Sequence, residues 1–350
     1  MPNLEWFVPA SCVTVSVTMN ASLTSGLLLI LLAGLCQGSF MLPIKGMRGW
    51  GWENYWLIFA ITAYLVSPWL LAFATVPGLL QVYAGTSGGT LAAIAMFGAA
   101  WGIGALTFGL GVEALGLALG FALILGTAAV FGTVVPLLFT SAGVVSGKQT
   151  AILVVSLMMM VAGVLVCSFA GKWKEKSNVR KSYWRGVVIC IVSGLLSACG
   201  NLGFVFGSPI TQRAEALGVP AQLAPNAVWA LLTLPLFLCN AAYSLYLMRR
   251  NSTAALYRAK YAATSFGLAV SMGVLWMAGF ALYGMGVRRV GALGSSLGWA
   301  ILMSTVVLVA NGLGIATGEW KGSPVHYRRQ LAAGVLMLLC AIVGLALANH

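Results

Sequence analysis

Aspartate does not occur in this chain, and glutamate occurs only six times in 350 residues. Lysine and arginine bring the charged fraction to just 7%, against roughly 25% in soluble domains. A soluble chain cannot cover its surface with so few charges, so a water-soluble globule is excluded. The seven cysteines (Cys12, Cys36, Cys167, Cys190, Cys199, Cys239 and Cys340) include no CxxC and no metal-type spacing. They read as small packing residues rather than a disulfide framework. His326 and His350 stand apart, and no nucleotide loop, metal cluster or catalytic triad is present. No enzyme activity, cofactor or metal site is therefore expected.

What is present is apolar: 60% of residues are hydrophobic. The net charge of +13 comes from basic residues between apolar runs, without a groove-reading motif. Membrane lipids, not nucleic acid, are the expected partner. A transmembrane helix needs about 20 mostly apolar residues, and ten such spans are predicted: Leu23–Ile44, Asn54–Val76, Gly88–Val112, Ala114–Thr140, Gln149–Gly171, Trp184–Gly207, Gln222–Met248, Ser265–Val287, Val290–Ile315 and Gln330–Asn349. Residues 1–22 are expected to be a loosely structured tail, or to reflect a gene start misplaced ahead of Met19.

Two stretches 175 residues apart share a tryptophan and glycine pattern, WGIGALTFGLGVEALG from Trp101 and WMAGFALYGMGVRRVG from Trp276. Helix 3 thus maps onto helix 8, five spans later. An odd number of spans per unit reverses the direction of the second copy. The expected fold is an all-α integral membrane protein of ten transmembrane helices in two inverted five-helix repeats. Residues 23–171 form repeat 1, 172–183 a basic linker and 184–350 repeat 2. Inverted repeats typify secondary transporters, which bind substrate between the halves. The loops after helices 1, 3, 5, 7 and 9 hold fifteen Lys and Arg, and the remaining loops and termini hold four. The positive-inside rule therefore predicts periplasmic termini.

Buried amides in a bilayer need partners and tend to face a bundle interior. Gln37, Asn201, Asn226 and Asn311 are the amide candidates for substrate binding, with Asn240 ranked lower. Helices 1 and 6 share the spacings Gly26/Gly34 and Gly186/Gly194 and each carries an amide further on, so Gln37 and Asn201 are expected to face one another. Indole faces suit the C–H face of a sugar, which singles out Trp101, Trp229, Trp276 and Trp299, with Tyr283 in the repeated motif. Trp101 and Trp276 are expected to line a central cavity from opposite sides. Each of these side chains also has a purely structural reading, as interhelical glue or packing.

The run KGMRGWGWE from Lys45 to Glu53, FGAAWGIG at 97–104 and GEW at 318–320 resembles the L-rhamnose–proton symporter family. The resemblance covers the chain after about Met19. It implies membership of the drug/metabolite transporter superfamily and uptake of a small sugar, L-rhamnose or a relative, across the inner membrane with a proton. It also implies an acidic residue in a tyrosine-rich segment opening helix 9, where this chain reads GALGSSLGW with Ser295 at the matching position. Glu53 and Glu319, with Glu113 in a hinge behind them, are the proton-coupling candidates, and sodium is the alternative ion. A drug or metabolite exporter of the same fold and a non-transporting scaffold are the other readings.

Overall fold

The computed structural model describes residues 10–115, 117–140, 147–171, 183–291 and 293–348, all helix, turn and connection. Long apolar runs leave the backbone no partner but itself, which forces helix. Among the described residues, nine helical stretches are long and apolar enough to cross a bilayer.

The first helix, α1, runs Ala10–Ser39, well ahead of the Leu23 start expected, so residues 10–22 continue the helix instead of forming a loose tail. A 3-10 turn, Leu42–Gly46, follows. Helix α2 (Trp52–Ala60) passes through a π turn at Ile61–Val66 into α3 (Ser67–Thr75). Pro68 lacks an N–H and frees the carbonyl four residues earlier. The chain adapts with a wider turn, in which the Ser67 N–H reaches the Thr62 carbonyl. The short α4 (Leu79–Ala84) then leads to α5 (Gly88–Leu115) and α6 (Leu117–Thr140). Glu113 sits in the last turn of α5 rather than in a hinge; its side chain lies outside the described residues. The predicted fourth span corresponds to α6, whose apolar core reads Leu123–Phe139.

Helix α7 (Gly147–Gly171) precedes the basic linker, which lies outside the described residues up to Tyr183. Then come α8 (Tyr183–Phe206), the short α9 (Ser208–Ala216), α10 (Pro225–Asn251), α11 (Ala262–Val290), α12 (Gly294–Ala316) and α13 (Val325–Leu347). Arg288 and Arg289 close α11, and the chain turns at Gly291, whose φ of 96° favours glycine.

Two tight helix groups build the core. In one, α1 packs on α11 and α12; in the other, α8 packs on α5 and α6. The groups meet where α12 packs on α6 and through α10, which touches α5 and α8 of one and α11 of the other as well as α2 and α3, and α7 packs along α13. Close approach needs glycine at matched points. A Cβ on Gly34 of α1 would stand 2.4 Å from the Thr305 Cβ, and one on Gly194 of α8 would stand 2.6 Å from the Thr127 Cβ.

Candidate functional site

The two motif tryptophans meet where α5 and α11 cross the centre of the bundle. Trp101 is 8% exposed and Trp276 6%, and their ring centroids lie 5.5 Å apart, tilted by 32°. The two rings touch directly, so no cavity separates them in this conformation. Phe280, one turn after Trp276, fills the angle at 4.4 Å from Trp276 and 5.2 Å from Trp101. Tyr64 closes the other edge at 4.7 Å from Trp276. Gly200 of α8 makes room, since a Cβ there would come within 2.8 Å of the Trp101 ring. From Phe280 the aromatic row continues to Trp229 at 5.0 Å, and Trp229 stacks on Phe204 at 4.7 Å and 15°.

Beside that row lies a buried hydrogen-bonded cluster built from α6, α8, α11 and the start of α12. The Asn201 Nδ2 donates to the Gly132 carbonyl at 2.7 Å and to the Ser295 carbonyl at 3.1 Å. Its Oδ1 accepts from the Tyr283 hydroxyl at 2.8 Å, and that hydroxyl also lies 3.1 Å from the Ser295 carbonyl. Trp299 Nε1 donates to the Ala128 carbonyl at 3.1 Å. Its indole fits only because position 132 is glycine, where a Cβ would stand 2.3 Å from Trp299 Nε1. Among the described residues five polar atoms on these helices or the adjoining α10 are buried without a protein partner: Trp229 Nε1, Thr133 Oγ1 and Ser296 Oγ, the last two next in sequence to Gly132 and Ser295, and Ser244 Oγ and Ser304 Oγ further along α10 and α12. A buried polar group left unpaired costs about 1–3 kcal/mol, so these atoms mark hydrogen-bonding capacity that the fold leaves unspent. No charged side chain takes part in these bonds.

The amides do not all gather here. Gln37 does not face Asn201; its Nε2 donates to the Trp276 carbonyl at 2.7 Å and ties α1 to α11 behind the tryptophan pair. Asn226, in the first turn of α10, donates to Thr75 Oγ1 at 2.9 Å near one end of the molecule. Asn311 bonds back to the Val307 carbonyl of its own helix. Asn240, ranked lower from sequence, is fully buried and accepts the Trp56 indole N–H at 2.9 Å.

The acids lie nearer the ends. Glu53, in the first turn of α2, is only 4% exposed and accepts from Thr253 Oγ1 at 2.7 Å and Asn251 Nδ2 at 3.1 Å. Tyr257 beside it donates to the Asn54 carbonyl at 2.9 Å, and burial, aided by the Glu53 charge, pushes its phenol up to about 12. Glu319 pairs with Lys45 and is 40% exposed. At the opposite end Arg288 pairs with Glu215, and Arg289 donates to Gln222 at 2.9 Å.

Sequence reasoning misses Phe204, Phe280 and Tyr64, as well as the carbonyls of Gly132 and Ser295. Phe280 was within reach, because it follows Trp276 by one helical turn. The carbonyls leave no signal, since which backbone oxygen meets a side chain depends on helix rotation.

Bilayer-length helices around a buried, uncharged hydrogen-bonding cluster define a multi-pass membrane protein. Residues 19–349 match the L-rhamnose-proton symport protein family, and the chain belongs to that family. It is a family of sugar–proton symporters, so the protein is a transporter and not an enzyme. The L-rhamnose-proton symporter of Cronobacter sakazakii is 25% identical over 346 residues, covering 95% of this chain and all of the relative. Those of Yersinia pestis and Yersinia pseudotuberculosis are 25% identical over 350 residues, covering 94% of this chain and the whole of each relative.

Proposed function

We propose that the protein is a secondary active transporter that takes up a small neutral sugar, L-rhamnose foremost, with a proton across the inner membrane. The observation that carries this reading is the Asn201–Tyr283–Ser295 cluster beside Trp229 and Trp299. Its amide, phenol, carbonyl and indole groups are neutral donors and acceptors. Such a set matches a polyol, whose hydroxyls both donate and accept, and offers nothing to balance an ion. The unpaired Trp229 N–H and the Thr133 and Ser296 hydroxyls are groups that sugar hydroxyls would satisfy. The relatives bear the name of L-rhamnose symporters, which favours that sugar over others.

The site would work within ten helices arranged as two inverted five-helix repeats. What supports this is the recurrence of the pairings: α5 on α8 mirrors α11 on α1, α6 on α8 mirrors α12 on α1, and the tight Gly34–Thr305 contact mirrors Gly194–Thr127. Glu53 and Glu319, with Glu113 behind them, are the proposed proton carriers and sodium is the alternative ion; Glu53 is the most buried of those whose side chains are described, and in this conformation its carboxylate accepts from Thr253 and Asn251. An exporter of amphipathic compounds is the second reading, favoured by the continuous apolar row from Tyr64 to Trp229.

Uptake of labelled L-rhamnose and other sugars into proteoliposomes, with and without an imposed pH gradient, tests the proposal. Gradient-driven accumulation of a sugar is expected. Export of amphipathic compounds with no transport of any sugar would overturn it.

A further inference from the structure

At the end of the molecule that carries the α1–α2 and α10–α11 connections, residues 252–261 fold back over the start of α2. Trp50 Nε1 donates to the Leu256 carbonyl at 3.1 Å, and Asn54 Nδ2 to the Thr253 carbonyl at 3.0 Å. Beside this fold lies a cleft of about 630 Å³ between α2 and α11. Its inner wall is apolar, made by Leu57 and Ile58 on one side and Ala263 and Phe266 on the other. These residues belong to bilayer-length helices, and Phe266 is 50% exposed, so the cleft opens sideways toward the hydrocarbon.

The outer rim is cationic. Arg258 and Lys260 line it, and Arg48 stands just behind, because Arg48 and Lys260 each lie 5.7 Å from the ring of Tyr261. None of the three has an ion-pair partner among the described residues, where the pairs found are Lys45 with Glu319 and Arg288 with Glu215. The nearby carboxylate of Glu53 is turned to Asn251 and Thr253. An apolar slot with unneutralised cations at its mouth fits an amphiphile with an anionic head. A soluble phosphate would leave the apolar wall unused.

We propose that this cleft is a binding site for an anionic phospholipid, its phosphate held by Arg258 and Lys260 and its first acyl segment laid between α2 and α11. The site does not depend on the transported substrate. A lipid seated there would touch both the α1–α2 and the α10–α11 connections, through Trp50 on one and Tyr257 to Lys260 on the other.

The test uses the full-length protein in detergent, stripped of lipid. Dioleoyl phosphatidylglycerol, dioleoyl phosphatidylcholine and glycerol 3-phosphate are titrated separately, with bound lipid counted by native mass spectrometry. Phosphatidylglycerol is expected to bind at least ten-fold more tightly than phosphatidylcholine, and glycerol 3-phosphate not to displace it at equal concentration. The Arg258→Gln/Lys260→Gln double variant should weaken phosphatidylglycerol binding roughly twenty-five-fold, about five-fold per cation. The Lys148→Gln/Arg185→Gln variant, with the same charge removed elsewhere, should bind as the parent does. Ala263→Trp, which fills the cleft without touching charge, should also abolish retention. Equal binding of the two lipids, displacement by glycerol 3-phosphate, or unchanged retention in both cleft variants overturns the proposal.

Discussion

Trp101 and Trp276 lie ring to ring, 5.5 Å between centroids, with Phe280 wedged against both. Equivalent positions of a duplicated unit meet each other only where they sit on the axis relating the copies. The proposed inverted repeat would therefore have this pair as its pivot. An aromatic pair contributes about 0.5–1.5 kcal/mol beyond area burial. Trp→Ala at either position is expected to change apparent affinity or rate about five-fold, and Trp→Phe less. Sugar uptake by variants that insert normally checks this, together with tryptophan fluorescence on sugar addition. Unchanged transport in both alanine variants would make the pair simple packing.

Tyr283→Phe removes the hydroxyl that Asn201 Oδ1 accepts from. The loss of one buried bond costs about 1 kcal/mol, or more if the amide oxygen stays unpaired, so thermal stability should fall. Trp229→Phe removes a donor that bonds nothing in the protein and also leaves a cavity in a fully buried aromatic row, so stability should fall by a cavity cost on the order of 1–3 kcal/mol while KM for the sugar rises several-fold. Melting curves read beside uptake kinetics separate the two effects. A Trp229→Phe variant with parental KM would remove that indole from the site.

The amides illustrate what the sequence conveys and what it hides. Gln37 lies three residues beyond Gly34, whereas Asn201 lies seven beyond Gly194. Four residues are about one turn, or roughly 6 Å along the axis, so the two amides stand on different levels and find different partners. That offset was readable; the carbonyl partners were not. Nine of the ten predicted spans were legible because bilayer length and low charge constrain them; the fourth falls on α6, whose apolar stretch Leu123–Phe139 is shorter. The short α4 and α9 were not, since α9 reads SPITQRAEA and lacks any apolar run. The early start of α1 was hidden by polar Ser, Thr and Asn residues scattered through 10–22.

Gly34→Ala and Gly194→Ala should each destabilise the fold by about 1–3 kcal/mol, because the added methyl collides with a β-branched threonine on the facing helix. Gly109→Ala, whose Cβ would meet nothing within 4 Å, should be neutral or slightly stabilising. Detergent-solubilised melting temperatures compare the three. Parental values for both core variants would contradict the packing.

A C-terminal alkaline phosphatase fusion is expected to be active and a C-terminal fluorescent-protein fusion dark, from the fifteen-to-four division of Lys and Arg. The opposite pair of results reverses the orientation or changes the helix count.

Glu53→Gln, Glu319→Gln and Glu113→Gln test proton coupling one carboxyl at a time. An ordinary glutamate titrates near 4.3, and a carrier needs burial in at least one conformation to raise it. Glu53→Gln is expected to reduce gradient-driven accumulation most, while exchange of sugar at equal pH persists. Coupled uptake surviving all three replacements would turn attention to sodium.

The π turn at Ile61–Val66 sets a phase. One residue more than a regular helix needs is stored there, and every side chain beyond it is rotated by about 100° relative to an unbroken α-helix. Trp69 and Phe73 owe their bearing in the bundle to that stored residue. Losing a single residue from 61–66 would straighten the ladder and swing both rings to another flank, so a one-codon deletion here acts as a twist on half a helix. Insertions and deletions in this stretch would therefore change which helices α3 meets, while its length across the bilayer would hardly alter.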